Sequence, residues 1–423
     1  MLVSRFVCWL LLLGLSGAFS RAACAQVLVP DTAAPFKFAR AGQHRARVPF
    51  LLQRNLLVVS VQLNGAGPYN FLLDTGVGIS IITSPALADS LGLPHGQQFR
   101  VVGAGGLESG LLAYQTDGVR VTLPGVVAPR MTWLVLSESA LNLSGYVGVP
   151  IHGIMGSELF RSFVVALRPE LSELVLSDPA TYRRPRGRQW ATVPLTLQNN
   201  KAYLTAAVQL TDSLTLPLKL VLDTGASHAL SLELDSDPRL VGPAQRLPTD
   251  LGQGLGGTVK GYLGRVAALQ LGRVRLRAVL ASFPNPADVH RRIDVPRNGN
   301  IGYELLKRFS LVIDYPHQRL LLRPNVRFRD PFEHDMSGIQ LLATGPDYRR
   351  FLVLNVLPGS PAAAAGLEAN EELLSINFLP VNVFSLTQLD RMLHSEDGRT
   401  LLLVLRRPDG NLHTATVRLK RQI

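Results

Sequence analysis

Apolar residues along this chain fall in short runs, often alternating with polar positions, and 37 Gly and 28 Pro separate them. That pattern predicts an all-β organisation. Strands are expected at 58–63, 71–73, 163–167, 174–176, 311–313 and 320–322. Helical spacing is confined to brief stretches: 84–91, with Ser84 at the cap and Pro85 at the first position, then 157–162 and 303–309. Past Asp330 the pattern changes to a strand, an Ala-rich helix ended by Gly366, a helix over 385–394 and closing strands at 401–405 and 414–419.

The chain repeats itself. Phe71-Leu72-Leu73-Asp74-Thr75-Gly76 is answered by Leu220-Val221-Leu222-Asp223-Thr224-Gly225. One Asp-Thr-Gly is merely a good turn sequence. Its surroundings recur as well: Val48-Pro49, Gln53 and Asn55 are matched by Val193-Pro194, Gln198 and Asn200. Downstream, Gly153-Ile154-Met155-Gly156 is matched by Gly299-Asn300-Ile301-Gly302, and Phe163 by Phe309. Repetition at this scale means two copies of one folding unit, not a solenoid. The expected domains are 45–180, 190–328 and 335–423, with 181–189 linking the first two. In both copies an apolar run brings the Asp to the end of a buried strand, and the Gly permits the turn that follows.

Length (423 residues) and a 47% hydrophobic content support several cores. Residues 1–25 read as a secretory leader: Arg5, the apolar stretch from Phe6, then Ala23-Cys24-Ala25 before Gln26. Its apolar run is too short to span a membrane, and no later stretch is long enough either. The expected location is periplasmic or extracellular. Lipid anchoring at Cys24 is the lesser alternative, because Arg21 stands where such signals want an apolar residue. Cys8 and Cys24 are the only cysteines, so removal of the leader excludes disulfides and thiolate chemistry. The formal charge of +12 rests on cations that are nearly all Arg, several of them clustered at 183–188, 291–292 and 323–329. They lie in Pro- and Gly-containing connections without interleaved aromatics, which argues against nucleic-acid binding. The His residues show no metal-ligand spacing, His228 reads as a loop residue, and no metal or other cofactor is expected.

Two Asp residues on equivalent loops can meet across a two-fold axis. Carboxylates that close share one proton, and such a pair can activate a water against a peptide carbonyl. At these residues the chain resembles the pepsin-type and retropepsin-like aspartic peptidases, over roughly 45–325. The resemblance implies a mainly β fold of two duplicated β-barrel lobes and catalysis by Asp74 and Asp223, with loop support from Thr75, Gly76, Thr224 and Gly225. It also implies flaps over the cleft at two glycine-rich hairpins, through Gly103, Gly105 and Gly106 and through Gly254, Gly256 and Gly257. Three departures stand out: Val77 where Ser or Ala is usual, Asn300 inside the second apolar-apolar-Gly, and no Tyr at the first flap. One chain carrying both copies is expected to work as a monomer on protein or peptide substrates.

The third domain resembles a small α+β PDZ module of the bacterial type, through Val356-Leu357-Pro358-Gly359-Ser360-Pro361-Ala362, Ala365-Gly366-Leu367 and Leu374-Ser375-Ile376-Asn377. Phe378 replaces the usual Gly. The resemblance implies binding of C-terminal peptide tails by strand addition, with Gly338 and Ile339 in the carboxylate cradle. Together these readings predict an exported aspartic endopeptidase whose PDZ domain selects substrates. The alternative is an inactive, peptidase-shaped scaffold that binds peptides or envelope proteins.

Overall fold

The computed structural model describes residues 34–106, 110–139, 141–289 and 295–423. The expected leader with Cys24, and Arg291-Arg292, lie outside the described residues. Strands dominate, in three sheets of fourteen, eight and six strands.

The two lobes meet in an antiparallel belt. From one lobe come Arg45–Gln53, Glu173–Ser177 and Val164–Arg168; from the other, Phe309–Asp314, Arg319–Pro324 and Ala191–Pro194. At the seam Val165 pairs with Ile313, Ala166 with Val312 and Leu167 with Leu311. Because Phe163 corresponds to Phe309, this register exchanges equivalent residues about Ala166 and Val312, a local two-fold axis. Strand Arg45–Gln53 shows the underlying logic: Ala46, Val48 and Phe50 face the core while Arg45, Arg47 and Pro49 face solvent, the period of two that a half-buried strand requires.

Above the belt each lobe repeats one crossover. Ala66–Leu73 runs parallel to Gly153–Met155, which runs antiparallel to Ile81–Ile82. In the second lobe Thr215–Leu222 runs parallel to Gly299–Ile301, which runs antiparallel to Leu230–Leu232. The strand that ends in each Asp is therefore central, and Phe71 to Leu73 and Leu220 to Leu222 are buried on both faces. One hydrophobic core runs continuously through both lobes.

The third sheet follows the order Ile339–Thr344, Arg350–Val356, Glu372–Ile376, Thr400–Arg406, Leu412–Arg418, with its own core. Helix Leu386–Leu393 starts in a capping box formed by Ser385 and Gln388 and buries Leu386, Leu389 and Leu393. Its spacing is the expected one. Helix Leu143–Val147 is not among the expected elements; Asn142 caps it by accepting from Gly145 N at 3.0 Å. Among the described residues no helix is long and apolar enough to cross a membrane.

Candidate active site

Each Asp leaves its strand with its own amide still tied to the crossover: Asp74 N donates to Met155 O at 2.8 Å, and Asp223 N to Ile301 O at 3.0 Å. The neighbouring threonines are fully buried and reciprocal. Thr75 Oγ1 donates to Leu222 O at 2.6 Å and accepts from Thr224 N at 3.0 Å. Thr224 Oγ1 donates to Leu73 O at 2.8 Å and accepts from Thr75 N at 3.1 Å. These four bonds satisfy the hydroxyls and amides of both threonines and fix the two loops face to face.

The glycines are needed for approach. A Cβ on Gly225 would lie 2.1 Å from Asp74 Cγ, and one on Gly76 would lie 2.9 Å from Asp223 Cγ. Each Gly also donates its amide to the carboxylate of its own loop, at 2.7 Å for Gly76 to Asp74 and 3.1 Å for Gly225 to Asp223. Gly156 and Gly302 do the same steric service below: a Cβ on either would sit 2.7 Å from the carbonyl of Val77 or Ala226.

The two carboxyls hydrogen-bond to one another. Burial first, and then the charge of Asp223, push the Asp74 carboxyl well above the usual carboxylate range, against the pull of Gly76 N–H and Lys201. On the second lobe Asn300 Nδ2 donates to Asp223 Oδ2 at 2.7 Å, and Asn300 Oδ1 meets His228 Nε2 at 3.2 Å. Sequence reading had Asn300 as an interruption and His228 as a loop residue. The signal that could have found them is the polar Asn itself, standing two residues before the supporting Gly302 where the first copy has the apolar Ile154.

The glycine-rich segments touch tip to tip. A Cβ on Gly103 would be 2.3 Å from Leu255 Cβ, one on Gly105 would be 2.4 Å from Gly256 C, and one on Gly254 would be 2.2 Å from Ala104 O. Gly256 N donates to Ala104 O at 2.7 Å, and Leu255 packs on the same first-lobe apolar clusters as Val77. Gly257 pairs with Gly254 across the second hairpin, Leu247–Gly254 with Gly257–Leu271. Gly106 lies at the end of the described part of the first tip, which leaves out 107–109.

Gly338 and Ile339 are far from the Asp pair in the chain but border a cavity of about 620 Å³ that also reaches His228 and Ser227. Their amides are engaged within the loop, Gly338 N with Asp335 and Ile339 N with Ser337 Oγ. Beyond them, strand Ile339–Thr344 and helix Leu386–Leu393 are covered by the first lobe. Arg54 pairs with Asp390 at 2.6 Å, its backbone N donates to Thr387 Oγ1 at 3.0 Å, and its guanidinium reaches Leu341 O at 3.4 Å. Helix Leu143–Val147 packs on the same strand. Among the described residues no cluster of His, Cys, Asp or Glu could hold a metal.

Residues 59–159 and 207–305 each match the family model described as aspartyl protease, and residues 352–407 match that of a PDZ domain. Among known proteins, a carboxyl-terminal-processing protease of a Picosynechococcus species is 30% identical over 109 residues. Those residues are 25% of this chain and 26% of that protein, so the chain spans about a quarter of the length of the relative it matches. Among solved structures, the aspartic proteinase from Irpex lacteus is 14% identical with a TM-score of 0.41, over 68% of this chain and 99% of that one. Basic 7S globulin from soybean is 10% identical with a TM-score of 0.41, over 68% and 97%. The two lobes are thus those of the aspartyl protease family, and the domain that follows them is a PDZ domain.

Proposed function

We propose that the chain is an aspartic endopeptidase in which Asp74 and Asp223 activate a water for attack on a peptide carbonyl. The reading is carried by one observation: the reciprocal Thr75 and Thr224 bonds, which hold two hydrogen-bonded carboxyls in one half-buried site. A shared proton gives such a pair one base and one acid at the same pH, as hydrolysis of an amide requires. The glycine-rich tips act as a lid that parts to admit a peptide and closes over it. The PDZ domain recruits or positions the substrate, a single chain suffices, and the leader at 1–25 directs it out of the cytoplasm.

A second reading is a binding scaffold. It draws on the contact between the two lids, with Leu255 seated on the first-lobe clusters that include Val77; a cleft that stayed so closed would hold partners without cutting. Cleavage of an unstructured protein across pH 3–8, by the chain from Gln26 onward beside Asp74→Asn and Asp223→Asn, separates the two. Cutting by the wild type alone supports the peptidase. Silence of the folded wild type at every pH, with retained peptide binding, supports the scaffold.

A further inference from the structure

The two lobes differ where their crossover strands pass beneath the carboxyls. In the first, Ile154 lies opposite Leu72 and packs in an apolar cluster. In the second, Asn300 lies opposite Val221 and is 4% exposed. Burying an amide in an apolar strand is unfavourable unless its groups are bonded, so the position calls for a polar partner.

Its orientation follows from chemistry. The NH₂ of Asn300 faces Asp223, and a donor aimed at a carboxyl oxygen favours the ionised form, which only accepts. The Asn300 oxygen then faces His228, whose Nε2 must carry a proton to donate. His228 thereby prevents the amide from turning over. Asp223 receives Gly225 N on one oxygen and Asn300 Nδ2 on the other. The positions that correspond to Asn300 and His228 on the Asp74 side, Ile154 and Ile79, have no side-chain donor.

We propose, on the peptidase reading above, that Asn300 is a positioning residue that keeps Asp223 the ionised member of the pair, and that His228 holds Asn300 in place. Asp223 is then the base and Asp74 the acid. The water oxygen bonds to the carbonyl carbon as its proton passes to Asp223, and the Asp74 proton moves to the carbonyl oxygen. In the resulting diol the Asp223 proton goes to the amide nitrogen, the C–N bond breaks, and a diol hydroxyl returns its proton to Asp74 as the new carboxyl forms. Lys201 and Tyr315 act on the carboxyls, and Arg54, Asp250, Glu304, Lys307 and Arg308 are among the charged groups lining the cavity reached by His228.

The test compares Asn300→Leu, His228→Ala and His228→Gln with the wild type. Asn300→Leu restores the apolar character found at Ile154. Two readouts are taken: the pH profile of kcat/KM on an unstructured protein, and an NMR titration of Asp side-chain carboxyl carbons assigned with Asp74→Asn and Asp223→Asn. Loss of a donor to a carboxylate raises its midpoint, so Asn300→Leu moves the acid limb and the Asp223 midpoint up by about one unit. His228→Ala gives a smaller shift in the same direction, and His228→Gln, which still offers an N–H, recovers most of it. A wild type that cuts nothing defeats the peptidase reading alone. An Asp223 midpoint equal in wild type and Asn300→Leu overturns this assignment, whether or not the protein cuts.

Discussion

The side-chain amide of Asn55 donates to the backbone carbonyl of Ser227 at 3.3 Å, just past Asp223 on the opposite lobe. Across the local two-fold, Asn200 Nδ2 reaches Gly78 O at 3.4 Å, just past Asp74. Both asparagines sit in two-residue hairpin turns, Arg54-Asn55 and Asn199-Asn200, whose residues all have positive φ between 48° and 62°. That left-handed geometry suits Asn, whose short polar side chain tolerates it. Each lobe thus braces the other's Asp loop with its first turn. Asn55→Gly keeps the turn geometry and deletes the brace, together with its bonds to Glu304 and Lys307. The expected result is a drop in kcat of roughly tenfold with an unchanged circular-dichroism spectrum, since small displacements of catalytic groups are costly. Wild-type kcat in this variant would count against the brace.

Approach of the two loops is the next point of sensitivity. A Cβ at position 225 would have to occupy the space of the Asp74 carboxyl, whereas at position 76 the overlap is milder. Gly225→Ala should lose at least about a hundredfold in kcat/KM and Gly76→Ala less. Peptide hydrolysis by the two variants at one pH settles the order, and equal losses would contradict the asymmetric approach.

Much of this arrangement was legible in the sequence because duplication writes the same local rule twice. The apolar triplets before Asp74 and Asp223, and the Gly at 156 and 302, each answer a backbone need that only a few residues meet. Helix Leu386–Leu393 was equally plain from its apolar spacing. What could not be read was long-range pairing of side chains. Asn300 looks like a flaw until its partner, Asp223, is seen 2.7 Å away. Arg54 looks like any turn cation until it is found paired with Asp390 of another domain. Helix Leu143–Val147 is too short for periodicity to show, and its cap, Asn142, resembles an ordinary loop residue.

The threonine bonds predict a specific loss of stability. Thr75→Val keeps the shape of the side chain but leaves Thr224 N without its acceptor and Leu222 O without its donor, both buried. The cost is on the order of 3 kcal/mol, and Thr224→Val should match it. The double variant should cost less than the sum, because both substitutions break one network. Chemical denaturation of the four proteins measures the coupling. Strict additivity would mean that the two side chains act independently.

Asp74 makes stability depend on pH in a definite sense. Its carboxyl is raised in the folded protein above an ordinary value of 3.8, foremost by burial and then by Asp223. Folding therefore takes up a proton between those two values. This contribution is fully present below the ordinary value and is lost as pH rises through the raised one. Asp74→Asn, neutral at all pH, should melt with the wild type under acid conditions and at increasingly higher temperature than the wild type as pH climbs. Thermal melts from pH 3 to 8 test it, and an Asn variant less stable than wild type at neutral pH would reverse the sign.

The PDZ groove carries the last prediction. Strand addition needs the free edge of Ile339–Thr344, and Arg54 lies there with its guanidinium 2.9 Å from Tyr146 O and 3.4 Å from Leu341 O. Thr387, at the start of the facing helix, is held by Gln53 at 2.6 Å as well as by Arg54 N. A Cβ on Gly148 would come within 2.8 Å of Leu386 Cβ, so the first lobe also closes against that helix. A peptide entering the groove must displace this turn, and its apparent affinity falls by the fraction of molecules in which the turn has moved. Arg54→Ala removes the ion pair with Asp390 and the contact with Leu341. It should raise the affinity of a short labelled peptide with an apolar C-terminus by about tenfold or more, as read by fluorescence polarisation. Because Asn55 in the same turn touches the Asp223 loop, the variant should also change the kcat of the uncomplexed protein. Unchanged peptide affinity in Arg54→Ala would mean that ligands reach the PDZ domain by another face.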